Sequence, residues 1–84
     1  MELILYHATW CPFCRAFLPV FRRLAHGAEV LLDDEADPRW KGIAVIPTVV
    51  ARDGDREIAR LEAKPGVGIT EREFAAWLGR IQKK

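Results

Sequence analysis

Cysteine is scarce in this chain of 84 residues: there are two, and both fall within Trp10-Cys11-Pro12-Phe13-Cys14. A scaffold stapled by disulfides needs several pairs spread along the chain, so that class is excluded. There is no excess of one charge either, since thirteen Lys and Arg face twelve Asp and Glu, for a net charge of +1 at pH 7. The charges are dispersed, which leaves no electrostatic case for nucleic acid or an anionic membrane as partner. No apolar run has the length of a membrane span, and no basic leader precedes a signal-like stretch, so a cytoplasmic location is the expectation. Repeats, low-complexity tracts and linkers are also missing. Half the residues are hydrophobic, enough for residues 1–84 to be expected as a single domain with its own core, and as a monomer.

What is present is concentrated in the cysteine pair. Two cysteines separated by two residues can close a small disulfide, and each can attack or resolve a bond made by the other. In a reducing compartment such a pair is more often catalytic or metal-binding than structural. The apolar run Leu3-Ile4-Leu5-Tyr6 precedes it, and a helix-patterned run through Phe17, Val20, Phe21 and Leu24 follows. The pair therefore sits where a strand hands over to a helix. Pro12 suits the first helical position, which has no intrahelical use for the amide hydrogen that proline lacks. Cys11 is then expected at the helix N-terminus, exposed, where free amides and the positive end of the dipole favour a thiolate. Cys14, one turn further in, is placed as the less exposed resolving partner.

The rest of the chain reads as alternating elements. A strand from about Glu2 to Tyr6 leads through a loop, His7-Ala8-Thr9, to a helix from about Pro12 to His26, stopped by Gly27 and kinked at Pro19. Ala28-Glu29-Val30-Leu31-Leu32 is a second strand ending in the acidic turn Asp33-Asp34-Glu35. Asp37 through Gly42 carries a capping residue, a proline at the first helical position and a closing glycine, and predicts one or two helical turns. Pro47 to Ala51 opens a third strand, Arg52-Asp53-Gly54-Asp55 is a hairpin turn, and Arg56 to Glu62 is a charged edge strand. Thr70 and Glu73 form a capping box for a last helix to about Gln82, buried along Phe74, Trp77, Leu78 and Ile81. The order is βαβαββα, an α/β chain whose first two strands run parallel.

With a Cys-Pro-Phe-Cys elbow and Ile46-Pro47-Thr48 in a βαβαββα chain, the sequence resembles the thioredoxin/glutaredoxin superfamily over its whole length. The resemblance implies a thioredoxin-like fold, with a central mixed four-stranded sheet flanked by helices. It also implies a cis Ile46–Pro47 bond facing the cysteines, substrate pairing by Ile46, and packing by Thr48 beside the disulfide. Cys-Pro-Phe-Cys is close to the glutaredoxin pattern. Trp10 directly before Cys11, Pro19, and Gly-Ile-Ala-Val-Ile-Pro-Thr leading into Val-Val-Ala-Arg-Asp-Gly look like thioredoxin. Three features of these families are missing: the thioredoxin buried aspartate falls at Leu5, the glutaredoxin lysine three residues before the first cysteine is Ala8, and the glutaredoxin Gly-Gly is interrupted, with Val67 between Gly66 and Gly68.

The resemblance implies a dithiol–disulfide oxidoreductase that reduces disulfide-containing proteins, with Cys11 and Cys14 catalytic and Trp10, Pro12, Phe13, Ile46, Pro47 and Thr48 lining the substrate groove. Its electrons would come from a flavin-dependent reductase or from glutathione, and it needs no bound cofactor. A glutathione-dependent glutaredoxin and a non-catalytic module carrying a partner, metal or cluster are the alternatives. A mononuclear zinc site needs about four protein ligands, and only His7 and His26 are available to join the cysteines, with His26 at the far end of the helix, so no metal is assigned. His7 is read as a loop residue near the site, Trp10 as the functional aromatic, and Trp40 and Trp77 as packing residues. Arg15 is either a source of positive potential or a solvated helix charge, and the charges of Arg56 to Glu62 are a solvated edge.

Overall fold

The computed structural model describes residues 2–25, 28–32, 38–40 and 42–82. Strands β1 (Glu2–His7), β2 (Glu29–Leu32), β3 (Thr48–Asp53) and β4 (Arg56–Glu62) form one sheet in the order β2-β1-β3-β4. β1 pairs parallel with β2 and antiparallel with β3, and β3 pairs antiparallel with β4, so the sheet is mixed as expected. Helix α1 (Pro12–Leu24) crosses from β1 to β2, and helix α2 (Glu71–Gln82) closes the described chain. α1 ends at Leu24, with Ala25 as its cap, short of the helix expected to about His26. His26 and Gly27 themselves, the acidic turn Asp33-Asp34-Glu35 and the capping Asp37 lie outside the described residues.

Strand alternation divides the core between two faces, because successive side chains of a strand point to opposite sides of the sheet. On one face Leu5, Val49 and Ala51 meet α1 through Phe17 and Phe21, and α2 through Phe74, Trp77 and Leu78. Phe74 joins the two helices. Its ring lies edge-on to Phe17 at 5.1 Å and stacked on Phe21 at 5.6 Å between centroids. On the other face Ile4, Tyr6 and Val50 are covered by Trp40, Ile43 and Ile46, with Tyr6 edge-on to Trp40 at 5.2 Å. Trp77 is in the core and Trp40 half-buried, so both pack.

The helical stretch between β2 and β3 is a single 3-10 turn at Pro38–Trp40, within the one or two turns expected. Two strand boundaries differ from the sequence reading. β1 runs one residue further than the apolar run, so His7 is a strand residue, 3% exposed, rather than part of a loop. Its pairing partner is Leu32 of β2, and the ladder holds it in extended backbone although its side chain is polar. β3 likewise continues to Asp53, which leaves Gly54-Asp55 as the turn, with Gly54 at φ +62°. α1 continues through Pro19, whose exposed position lets the ring stand clear of the core. Thr70 caps α2 as the box pattern requires: its hydroxyl accepts from the Glu73 amide at 3.1 Å.

Candidate functional site

The turn between β1 and α1 is built by the backbone of Ala8. Its carbonyl accepts from the Cys11 amide at 3.2 Å, which ends the strand and turns the chain so that Cys11 becomes the N-cap of α1. Cys11 itself has extended backbone, at φ −92° and ψ 115°, and Pro12 takes the first helical position. The Cys11 sulfur then does what a serine or aspartate oxygen does at other helix starts. It accepts from the Cys14 amide, with Sγ and N 3.3 Å apart. Both cysteines are free thiols.

Their exposures are ordered but small: Cys11 is 5% exposed and Cys14 0%. Cys11 is therefore more covered than a helix tip suggests, because Ile46 packs on the small cluster of Ala8, Cys11 and Cys14. Cys14 lies wholly beneath it. Burial pushes the Cys14 thiol up to about 12, helped by its hydrogen bond with Cys11 and opposed by the Ala8 backbone. At neutral pH Cys14 holds its proton.

Ile46 belongs to the second wall of the site. The Ile46–Pro47 peptide bond is cis, as the resemblance implies, and Pro47 is fully buried. Thr48, the first residue of β3, is buried as well, and its hydroxyl donates to the Val45 carbonyl at 2.5 Å. That bond closes the segment Val45–Thr48 on itself. Of the residues read from the sequence as groove residues, Ile46 meets the cysteine cluster directly, and Pro47 and Thr48 are buried supports behind it. Trp10 is 68% exposed and Phe13 43%, so the flanks of Cys11 are apolar and open to solvent.

One wall went unread in the sequence. The segment Lys64–Gly68 closes into a small loop, in which the Lys64 amide donates to the Gly68 carbonyl at 3.1 Å and the Gly68 amide to the Lys64 carbonyl at 3.0 Å. Gly68, at φ +80°, lies against Phe13: a Cβ there would stand 3.0 Å from Phe13 Cδ1. The same loop holds Val67, 55% exposed. Pro65-Gly66-Val67-Gly68 signals a bend, but nothing in its composition says that the bend reaches residue 13. Among the described residues, no three His, Cys, Asp or Glu side chains gather where a metal ion could be held. No described helix is long and apolar enough to cross a membrane.

This arrangement, with an N-terminal CxxC on α1 set against a cis-proline at the head of an antiparallel strand, is that of a thioredoxin-fold protein. Comparison with solved structures gives the same answer. A thioredoxin from Malassezia sympodialis superposes with a TM-score of 0.73 at 22% identity, over 94% of this chain and 72% of that one. The periplasmic thioredoxin SoxS from Paracoccus pantotrophus, in its reduced form, superposes with a TM-score of 0.67 at 25% identity, over 95% and 93%. A chain of the complex of ferredoxin:thioredoxin reductase with thioredoxin f2 gives 0.71 at 18% identity, over 96% and 78%. No protein-family model and no curated protein matches the sequence. The chain shares the thioredoxin fold with these proteins.

Proposed function

We propose that the protein is a thiol–disulfide oxidoreductase that reduces protein disulfides through Cys11 and Cys14. In the cycle, the Cys11 thiolate attacks a substrate disulfide, one substrate sulfur leaves as a thiolate, and a mixed disulfide remains. Cys14, deprotonated, then attacks the Cys11 sulfur; the Cys11–Cys14 bond forms and the second substrate thiolate departs. The substrate is reduced by two electrons and the protein oxidised by two. The observation that carries this reading is the Cys11 sulfur at the cap of α1, bonded to the Cys14 amide and faced by Ile46 of the cis-proline segment.

The walls favour a polypeptide substrate. Trp10 and Phe13, exposed apolar side chains that flank the recessed Cys11 in sequence, and the loop of Gly68 against Phe13 suit a chain laid across them. The Ile46 backbone, at the edge of that groove, is proposed to pair with it. Electrons would return from a flavin-dependent reductase or from glutathione. The superposition on a complex containing a thioredoxin reductase supports a protein reductant, and the Val67 that interrupts the glycine pair speaks against glutathione. A reducing compartment such as the cytoplasm is proposed as the setting.

The test is reduction of insulin by the parent protein, Cys11→Ser and Cys14→Ser, driven in turn by a thioredoxin reductase with NADPH and by glutathione. Turnover by the parent with the reductase, lost in both variants, is the expected result. Turnover with glutathione alone that survives Cys14→Ser identifies a monothiol glutaredoxin instead, and no turnover by the parent leaves a binding module.

A further inference from the structure

The second half of that cycle needs a base. Only a thiolate attacks a disulfide sulfur, and Cys14 is fully buried, away from bulk water that would take its proton. The first-strand position from which a buried carboxylate would serve is Leu5, which is apolar. Two residues further along β1, on the same face of the strand, stands His7. That face is the one covered by α1. His7 is 3% exposed, the Cys14 backbone acts on its ring, and its Nδ1 is buried with no hydrogen-bond partner. A buried polar atom left without a partner costs about 1–3 kcal/mol, so its position calls for a reason.

We propose that His7 Nδ1 is the proton acceptor for Cys14 in the resolving step. The inference rests on the dithiol cycle proposed above. As the Cys14–Cys11 bond forms and the bond from Cys11 to the substrate sulfur breaks, the Cys14 proton passes to His7, and the imidazolium gives it up to the departing thiolate or to solvent. Protons and electrons balance within the protein and its substrate. Burial and the positive charge of Arg22 on α1 hold His7 below the ordinary histidine range, so that Nδ1 is unprotonated and ready at neutral pH. Arg22 and Cys14 are the groups of α1 that act on it. His7 pairs with Leu32 of β2, and the acidic residues that follow Leu32 lie outside the described residues.

The experiment mixes reduced protein with one equivalent of dithiobis-nitrobenzoate in a stopped-flow instrument and follows the coloured thiol across pH. The first release reports attack by Cys11 and the second reports resolution by Cys14. In the parent the second release should slow as pH falls below the ordinary histidine value of about 6.5. His7→Gln and His7→Phe should slow it about a hundredfold at neutral pH, the usual scale of a lost general base, and abolish the acid limb. A folded variant whose second release keeps the parent rate and pH profile overturns the proposal. Should both variants fail to fold, the parent profile decides: an acid limb supports His7 and its absence removes it. A parent that releases a single equivalent overturns the dithiol cycle and this inference together, whereas two releases indifferent to His7 overturn the inference alone.

Discussion

Gly68 touches Phe13: a methyl group on Gly68 would lie 3.0 Å from Phe13 Cδ1 and 3.2 Å from its Cβ. The loop Lys64–Gly68 and the residue between the two cysteines are therefore one packed unit, and a change in either reaches the other. Gly66, at φ +73°, offers a control, because a Cβ there meets nothing within 4 Å. Gly66→Ala should cost only the left-handed backbone penalty, about 1–2 kcal/mol, and leave disulfide reduction near the parent rate. Gly68→Ala carries the same penalty and also displaces Phe13, so it should destabilise further and raise KM for a protein substrate. Denaturant unfolding and insulin reduction of the two variants test this. Equal KM values would show that Phe13 does not help to seat substrate.

Cys14 makes stability depend on alkaline pH. Its thiol is raised from about 9 in the unfolded chain to about 12 in the fold. Below pH 9 both states hold the proton and the full contribution is present. Between about 9 and 12 the unfolded state loses its proton while the native state keeps it, so the native state becomes progressively less stable as pH rises. The slope from this one group is at most about 1.4 kcal/mol per pH unit. Denaturant midpoints of the reduced protein should therefore fall above pH 9, and Cys14→Ala should remove most of that fall. An unchanged slope would place its source elsewhere. The same burial predicts that iodoacetamide at neutral pH modifies Cys11 and spares Cys14.

Strong local patterns made most of the fold readable. The apolar run at 3–6, the Cys-Pro helix start and the Thr70–Glu73 box each carry their own physical signal, and each lies where the pattern puts it. The two catalytic candidates were legible for the same reason, since a helix start fixes their depth order. What was not legible depends on distant contacts. Cys11 is nearly covered because Ile46, 35 positions later, packs on it, which no local pattern encodes. His7 looks like a loop residue because it is polar and follows the apolar run, yet ladder pairing with Leu32 draws it into the strand. Gly68 reads as part of a bend, and its meeting with Phe13 follows only from the way the loop folds back.

Thr48 ties the cis-proline segment to itself through the bond to the Val45 carbonyl. Thr48→Val keeps the shape and removes the hydroxyl. Because Val45 is partly exposed, water can replace the lost donor, so the stability cost should be about 1 kcal/mol. The effect on turnover should be larger in proportion, since the freed segment includes Ile46, the residue that meets the cysteine cluster. The expected outcome is a small loss in unfolding free energy with a several-fold fall in kcat/KM for insulin. A variant with unaltered kcat/KM would show that the bond serves the strand start and not the groove.

The aromatic residues divide into those that hold α1 and those that face solvent, and the division can be measured. Phe74 is fully buried between Phe17, Phe21 and Trp77, so Phe74→Ala removes contacts on both helices and leaves a cavity, at a cost of about 3–5 kcal/mol. For a small domain each kcal/mol lowers Tm by about 4–8 °C, so the loss should exceed about 12 °C. Trp10→Ala, at a position 68% exposed, should lower Tm by no more than a few degrees but weaken capture of protein disulfides. Since α1 carries both cysteines, Phe74→Ala should also expose Cys14, which a rise in its alkylation rate under native conditions would report. Were Trp10→Ala to prove as destabilising as Phe74→Ala, the exposed rim would be part of the core and could not be a surface that substrates reach.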